Sequence, residues 1–304
     1  MSNLAELAPR FSASDSRVVS IGGGHGLAAT LESLRVLGHF PIGVVSVADD
    51  GGSSGRLRET FGQIPPGDLR RCLSALLPST SPWKDLLEFR FGDGELKGHA
   101  LGNLVFAGLN SLLDDPLIAA VRLASLVGCE GMVFPSSLDP VTLIGSSRTK
   151  EISGQVDLAK TPGILEMRIE PEAPRVDEAV LEAIASATTI TFGPGSLFTS
   201  ILAVCKIPAI RTALERAQGV KVLVANLANE IGESEGMALT RHVESLAELG
   251  ILLDVVLFDD TSIEIGMQRD RVASCLWTKG ELAGPDGRAH DTALLAKALM
   301  SVVV

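Results

Sequence analysis

Three short stretches concentrate the residue types that handle phosphate. The first is Gly22-Gly23-Gly24-His25-Gly26, whose glycines let backbone N–H groups come close to an anion. The second, Asp49-Asp50-Gly51-Gly52-Ser53-Ser54-Gly55-Arg56-Leu57-Arg58, brings together every group a phosphate–metal site needs. Gly51 and Gly52 permit a backbone nest, Ser53 and Ser54 can donate hydroxyls, and Arg56 can grip phosphate oxygens in bidentate fashion. Asp49 and Asp50 are candidate ligands for Mg²⁺, which takes one or two carboxylates beside substrate phosphates. The third stretch, Gly193-Pro194-Gly195-Ser196, again sets glycines before a hydroxyl, so Gly193, Gly195 and Ser196 join the candidates.

Other polar residues read less sharply. His99 and Asn103 are four apart on an expected helix that continues as a buried one, so their side chains share a face. They serve either a ligand or an internally satisfied network, because an unpaired polar group there would be costly. Asn226 ends an apolar run, a position from which a base or sugar can be read. Asp68 reads as a helix N-cap, and Arg70 as either a pocket residue or a solvated one. Glu230, Glu233 and Glu235 read as a solvated acidic loop, and His39 and His242 as structural.

Several chemistries are excluded. The third glycine of a dinucleotide fingerprint would fall at Leu27, and no G-x-x-x-x-G-K-[ST] loop occurs. No nucleophile–base–acid arrangement emerges from the spacing, and no organic cofactor is expected. Cys72, Cys129, Cys205 and Cys275 stand apart without paired histidines, which argues for reduced thiols and against zinc.

The elements that must position these stretches alternate as strand and helix. Arg17–Ile21 reads as a strand running into the first glycine loop. A helix follows, with Leu27, Thr30, Leu31, Leu34 and Leu37 at helical spacing. Ile42–Val47 is nearly all apolar, as in a parallel sheet covered on both faces. Pro65-Pro66-Gly67-Asp68 precedes a helix from Leu69, and Lys84 to Cys129 reads mostly helical. Met132–Pro135, Val141–Ser146 and Gly163–Ile169 read as strands of a β-rich insertion over about residues 131–170. Beyond it come helices at Asp177–Ala187, Leu239–Leu249 and Thr292–Leu299, and strands at Thr188–Phe192, Lys221–Ala225 and Asp254–Phe258. One doubly wound α/β core over residues 17–304 with a small inserted lobe accounts for this order, after a flexible lead-in over residues 1–16.

Composition fits that frame. The 304 residues are 46% hydrophobic and 21% charged, with 4% aromatics and no Tyr, so Leu, Val, Ile and Ala must build the core. A net charge of −11 argues against nucleic acid or an anionic membrane as partner. No apolar run has membrane-helix length and no signal peptide is recognisable, so a cytoplasmic protein is expected. A homodimer suits this class of fold, although no interface signal is present.

Taken in order, these segments resemble the YvcK/CofD-like family. The resemblance runs through Gly22–Gly26, Val47–Arg58, Pro65-Pro66-Gly67-Asp68-Leu69-Arg70, Gly98-His99-Ala100-Leu101-Gly102-Asn103 and Gly193–Ser200, and Arg288-Ala289-His290-Asp291 looks like a family element before the last helix. It implies a Rossmann-like three-layer α/β/α fold with a mostly parallel sheet, and Arg288 as a ligand contact. One branch comprises bacterial factors for gluconeogenic growth and cell shape that bind UDP-sugars such as UDP-N-acetylglucosamine. The other comprises 2-phospho-L-lactate transferases, which use a guanosine diphosphate-linked donor and Mg²⁺. The Asp-Asp-Gly-Gly-Ser-Ser-Gly-Arg segment looks closest to the first branch, which makes a nucleotide-sugar the expected ligand. His25, Phe198 and Phe258-Asp259-Asp260 depart from the family pattern, the last at a strand end that bears on base or sugar specificity.

Overall fold

Short apolar runs closed by glycine, proline or a polar turn become strands, and the longer amphipathic stretches between them become helices. The computed structural model describes residues 17–148, 150–230, 232–259, 263–267 and 274–303. The expected lead-in over residues 1–16 and Asp260 lie outside these.

The chain runs from β1 (Val18–Gly22) through α1 (Gly24–Val36) to β2 (Ile42–Val45). Helices α2 (Gly52–Phe61), α3 (Gly67–Ala75) and α4 (Pro82–Glu88) follow, then α5 (Leu101–Leu113) and α6 (Pro116–Val127), leading to β3 (Met132–Pro135). A small lobe contains β4 (Thr142–Ser146), β5 (Glu151–Ser153), α7 (Gln155–Ala159) and β6 (Glu166–Glu170). The chain re-enters the core through α8 (Glu178–Ala185) and β7 (Thr189–Phe192). A π-helical stretch, Leu197–Leu202, runs into α9 (Ala203–Cys205), then α10 (Pro208–Arg216) and β8 (Val220–Val224). Last come α11 (Leu239–Glu248), β9 (Val255–Phe258), β10 (Leu276–Lys279) and α12 (Thr292–Leu299).

Among the described residues seven strands form one sheet in the order β10-β9-β8-β7-β1-β2-β3, each neighbouring pair parallel. Helices cover both faces. Alternate residues of β8 and β9 enter different cores: Val222, Val224, Val255 and Leu257 meet Leu34, Leu295 and Leu299, while Leu223, Val256 and Phe258 join the larger cluster. This two-sided burial is why the strands read as continuous apolar runs; each buried Leu or Val contributes about 1.5–3 kcal/mol of transfer free energy. The strand order reverses between β1 and β7. At such a switch point the loops leaving two adjacent strands diverge and open a crevice at their carboxyl ends.

The lobe is a separate antiparallel sheet, β5-β4-β6. Its expected start at about residue 131 is corrected here: Met132–Pro135 is an edge strand of the main sheet, hydrogen-bonded to β2. Its four residues are all buried, whereas β6 alternates exposed and buried. That contrast in period separates the two sheets. The helix expected from Leu69 begins at Gly67 with Pro66 as its cap residue, so Asp68 lies in the first turn and is not an N-cap. His99 precedes α5 and is not on it. β10 carried no sequence signal, being a short edge strand with its end residues exposed.

Candidate functional site

The glycine loops after β1 and β7 meet at the switch point. Gly24 adopts φ +64°, a left-handed conformation that glycine takes without strain. A Cβ on Gly26 would lie 2.2 Å from the Pro194 carbonyl oxygen, so the two loops touch backbone to backbone. Thr30 of α1 donates to the Gly193 carbonyl at 3.0 Å and ties them together. Asn226, at the end of β8, fixes the second loop from the other side. Its amide oxygen accepts from Gly195 N–H at 2.6 Å, and its amide nitrogen donates to the Gly195 carbonyl at 3.0 Å. Both polar atoms of Asn226 are therefore engaged in positioning the loop.

Beside these loops is a cleft of about 360 Å³ lined by the backbone and side chains of 23–26, by Gly195, Ser196 and Ser200, and by Asp49, Asp68, Arg71, Gln155 and Glu230. It thus gathers Gly23, Gly24, His25, Gly26, Asp49, Gly195 and Ser196 from the candidates, with Gly22 and Gly193 directly behind. Asp68 accepts from Arg71 Nη1 at 2.6 Å. Burial, and then the carboxylate of Asp49, push the Asp68 pKa up to about 6, against the pull of Arg71 and the Gly24 N–H. Burial and Arg71 lower the pKa of His25, which favours a neutral ring. Glu230 accepts a close hydrogen bond from the Ser196 hydroxyl. Glu233 is 2% exposed and accepts from Phe198 N–H at 3.3 Å, where the π-helical stretch begins. Burial, then Glu230, push its pKa up to about 7. Two of the three residues expected to form a solvated acidic loop are therefore wall and support of the cleft.

The remaining candidates lie elsewhere. Both oxygens of Asp50 accept backbone N–H groups at the start of α7, from Gln155 at 2.9 Å and Val156 at 3.0 Å. That occupies the carboxylate structurally and leaves Asp49 as the metal candidate of the pair. Gly51 is the cap residue of α2 and Gly52 its first residue. Ser53 and Ser54 are buried; the Ser53 hydroxyl sits 3.0 Å from His99 Nδ1 and receives Asn103 Nδ2 at 2.9 Å. Asn103 in turn accepts from Arg70 Nε at 3.1 Å, and Arg70, 1% exposed, pairs with Glu88. This is the satisfied core network, and it holds Arg70 away from the cleft. Arg56 is exposed and donates to the Lys97 carbonyl at 2.8 Å. Arg288 is exposed and does not line this cleft; its neighbour His290 reaches the Ala225 carbonyl through Nε2 at 3.1 Å.

Some cleft residues escaped the sequence reading although a signal existed. Arg71 lies three residues after Asp68, and Ser200 four after Ser196, spacings that share a helical face. Glu230 follows a core strand at the ligand-bearing edge of the sheet. Gln155 comes from the lobe and had no local signal. As a set, these groups offer N–H and hydroxyl donors, one guanidinium and three carboxylates. Asp49 and Asp68 supply hard oxygen donors suited to Mg²⁺. Among the described residues no three His, Cys, Asp or Glu side chains are placed to hold a metal by themselves, so an ion here would also need ligand oxygens. Among the described residues, too, no single helix is long and apolar enough to cross a membrane.

Comparison with known proteins identifies the family and the fold. Residues 18–282 match the model of the family described as "2-phospho-L-lactate transferase CofD". A protein from Mycobacterium leprae described as "Putative gluconeogenesis factor" is 38% identical over 309 aligned residues, covering 94% of this chain and 86% of that protein. A Mycobacterium tuberculosis protein of the same description is 37% identical, covering 94% of this chain and 90% of its own length. A crystal structure of a UPF0052 family member from Bacillus halodurans superposes with a TM-score of 0.86 at 28% identity, covering 94% of this chain and 99% of that one.

Proposed function

This chain belongs to the YvcK/CofD-like (UPF0052) family of gluconeogenesis-factor proteins, and from that premise we propose that its switch-point cleft binds a nucleotide-sugar of the UDP-N-acetylglucosamine type together with Mg²⁺. The protein then acts as a ligand-responsive factor in gluconeogenic growth and cell shape. One observation carries the binding mode: Asp49, Asp68 and Glu230 line the same cleft as the bare backbone of Gly23–Gly26 and the cation Arg71. The backbone N–H groups and Arg71 suit a diphosphate. Three carboxylates against one guanidinium oppose it unless a divalent cation comes with it. Mg²⁺ would supply that charge, held by Asp49 and Asp68.

In this assignment Ser200 donates to a phosphate oxygen while Ser196 keeps its hydroxyl on Glu230, and His25, neutral, offers one donor and one acceptor at the mouth of the first loop. Asn226 keeps Gly195 in place. A second function, transfer of a phospholactyl group from a guanosine diphosphate-linked donor, is favoured by the description of the matching family model. There Asp49 would hold the Mg²⁺ without Asp68, and Asp68, its pKa raised to about 6 by burial, is the cleft group suited to exchange a proton with an acceptor hydroxyl near neutral pH.

Thermal unfolding with UDP-N-acetylglucosamine, UDP and GDP, with Mg²⁺ or EDTA, tests both. A ligand at 100 times its Kd should stabilise the fold by about 2.7 kcal/mol. Mg²⁺-dependent stabilisation by the UDP-sugar, which is recovered intact after incubation, supports the regulator. Preference for GDP with phospholactyl transfer to a deazaflavin acceptor would replace it with the transferase. Silence towards every nucleotide would remove both.

A further inference from the structure

The lobe carries a second concavity whose charge is opposite to that of the protein as a whole. It is a cup of about 610 Å³ lined by Ser147, Arg148 and Lys150 after β4 and by the segment after α7. Arg148, Lys150 and Lys160 line it with Pro162 and Leu165, and none of its described lining residues is acidic. Among the described residues no ion pair engages any of the three cations. The neighbouring groove, on the other side of Leu165, shows the usual alternative. There Arg168 pairs with Glu151 and Glu170, and Arg241 with Glu244 and Glu248. A chain of net charge −11 has carboxylates to spare, yet among the described residues none lines the cup.

We propose that this cup is a docking site for an acidic segment of a partner protein. Three cations in one concavity, without an ion pair among the described residues, set up a local positive field that desolvated carboxylates would complement. Leu165, 57% exposed, and Pro162 give an apolar surface for a side chain of the same segment. The volume suits a few residues, falling in the range of pockets that enclose small ligands. An extended polyanion is disfavoured, because nucleic acid or an anionic bilayer would overrun the cup onto the adjoining groove, which Glu151, Glu166 and Glu248 line. The cup also adjoins the cleft architecture. Gln155 at the start of α7 lines the cleft, and Lys160 just beyond its end lines the cup. Lys160 packs on Gly232, where an added Cβ would come within 3.1 Å of its Cα. Gly232 lies in the same loop as Glu230. The inference does not depend on which nucleotide the cleft binds.

Fluorescence anisotropy with the intact protein tests it, using a fluorescein-labelled octapeptide of alternating Glu and Leu and its Gln-and-Leu counterpart at ~0.15 M salt. The acidic peptide should bind saturably and the Gln peptide should not. Charge reversal by Arg148→Glu, Lys150→Glu and Lys160→Glu should weaken binding at least tenfold. Neutralisation of the same three by Gln should weaken it less, with an unchanged circular dichroism spectrum showing that the lobe still folds. A control reversal of three cations elsewhere, Arg122→Glu, Arg216→Glu and Lys297→Glu, changes net charge equally and should have less than a twofold effect. Equal losses in the two triple reversals would reduce the effect to bulk charge and overturn the proposal. So would absence of peptide binding, or tighter binding of inorganic phosphate, a DNA duplex or phosphatidylserine vesicles through the same residues.

Discussion

Gly24 and Gly26 present bare backbone at the cleft, whereas across β2 the polar side chains of 49–58 mostly turn into the protein. Asp50 anchors α7. Ser53 joins His99 and Asn103, Arg56 holds the 92–99 loop, and Arg58 reaches Val141 and Thr142 at the root of the lobe. Only Asp49 of that segment lines the cleft. The segment richest in phosphate-binding side chains therefore works chiefly as a clamp between core and lobe. The plainer loop, with little but glycine, lines the cleft in which we propose that the diphosphate binds. A functional group counts for what it faces, and a strand's carboxyl end supplies inward and outward positions alike.

The sharpest way to break this contrast is to crowd the first loop. Gly26→Val would drive a side chain into the Pro194 carbonyl, because even a Cβ would lie at 2.2 Å. Overpacking of this kind costs about 1–3 kcal/mol. Titration calorimetry should show nucleotide binding lost by at least a hundredfold while urea melts show a folded protein. Retained affinity would mean that the ligand rests elsewhere.

A comparable energy is expected from Glu233, buried behind the cleft, where it depends on pH. The folded-state pKa of Glu233, about 7, lies above the ordinary glutamate value, so the folded protein holds that proton more tightly than the unfolded chain. Its contribution is fully present below the unfolded value of about 4.3 and is lost as pH rises towards 7. Glu233→Gln, which keeps an acceptor for Phe198 N–H, should therefore stabilise the protein by about 1–3 kcal/mol at pH 8. That gain should shrink to almost nothing by pH 4 in denaturant titrations. A gain independent of pH would show that the buried charge is not its cause.

Much of this was legible in the sequence, and the gaps have physical reasons. Periodicity located the apolar strands and the glycine loops at their ends because burial on both faces leaves a continuous apolar run. It could not show that β1 and β7 are neighbours, which is what brings Gly26 against Pro194, since that pairing spans most of the chain. Met132–Pro135 looked like part of the lobe because nearness in sequence stood in for sheet partnership. Glu233 looked solvated because a carboxylate's type predicts exposure. Its burial follows from Phe198 N–H and the packing of a distant loop. Asp50 and Asp49, identical and adjacent, were inseparable by type, and only the lobe's α7 distinguishes them.

That pair gives a smaller test. Asp50→Asn should cost about 0.5–2 kcal/mol, the range for losing a helix cap, with Mg²⁺-dependent affinity reduced less than threefold. Asp49→Asn should leave the melting temperature nearly unchanged and lower that affinity at least tenfold. An inverted pattern, with Asp50 controlling affinity, would return the metal role to the lobe-facing carboxylate.

Arg56→Ala should have the smallest effect, and it separates the two segments most directly. Residue type alone makes Arg56 a phosphate clamp, and its loss would then weaken binding as strongly as loss of Asp49. In the fold its guanidinium is solvent-exposed and donates to the Lys97 carbonyl at 2.8 Å, outside the lining of the cleft. Surface substitutions of this kind usually change stability by less than about 0.5 kcal/mol. Affinity should accordingly fall less than threefold by calorimetry. A tenfold loss would show that the 92–99 loop swings Arg56 over the bound diphosphate, making the second segment part of the site as well as its clamp.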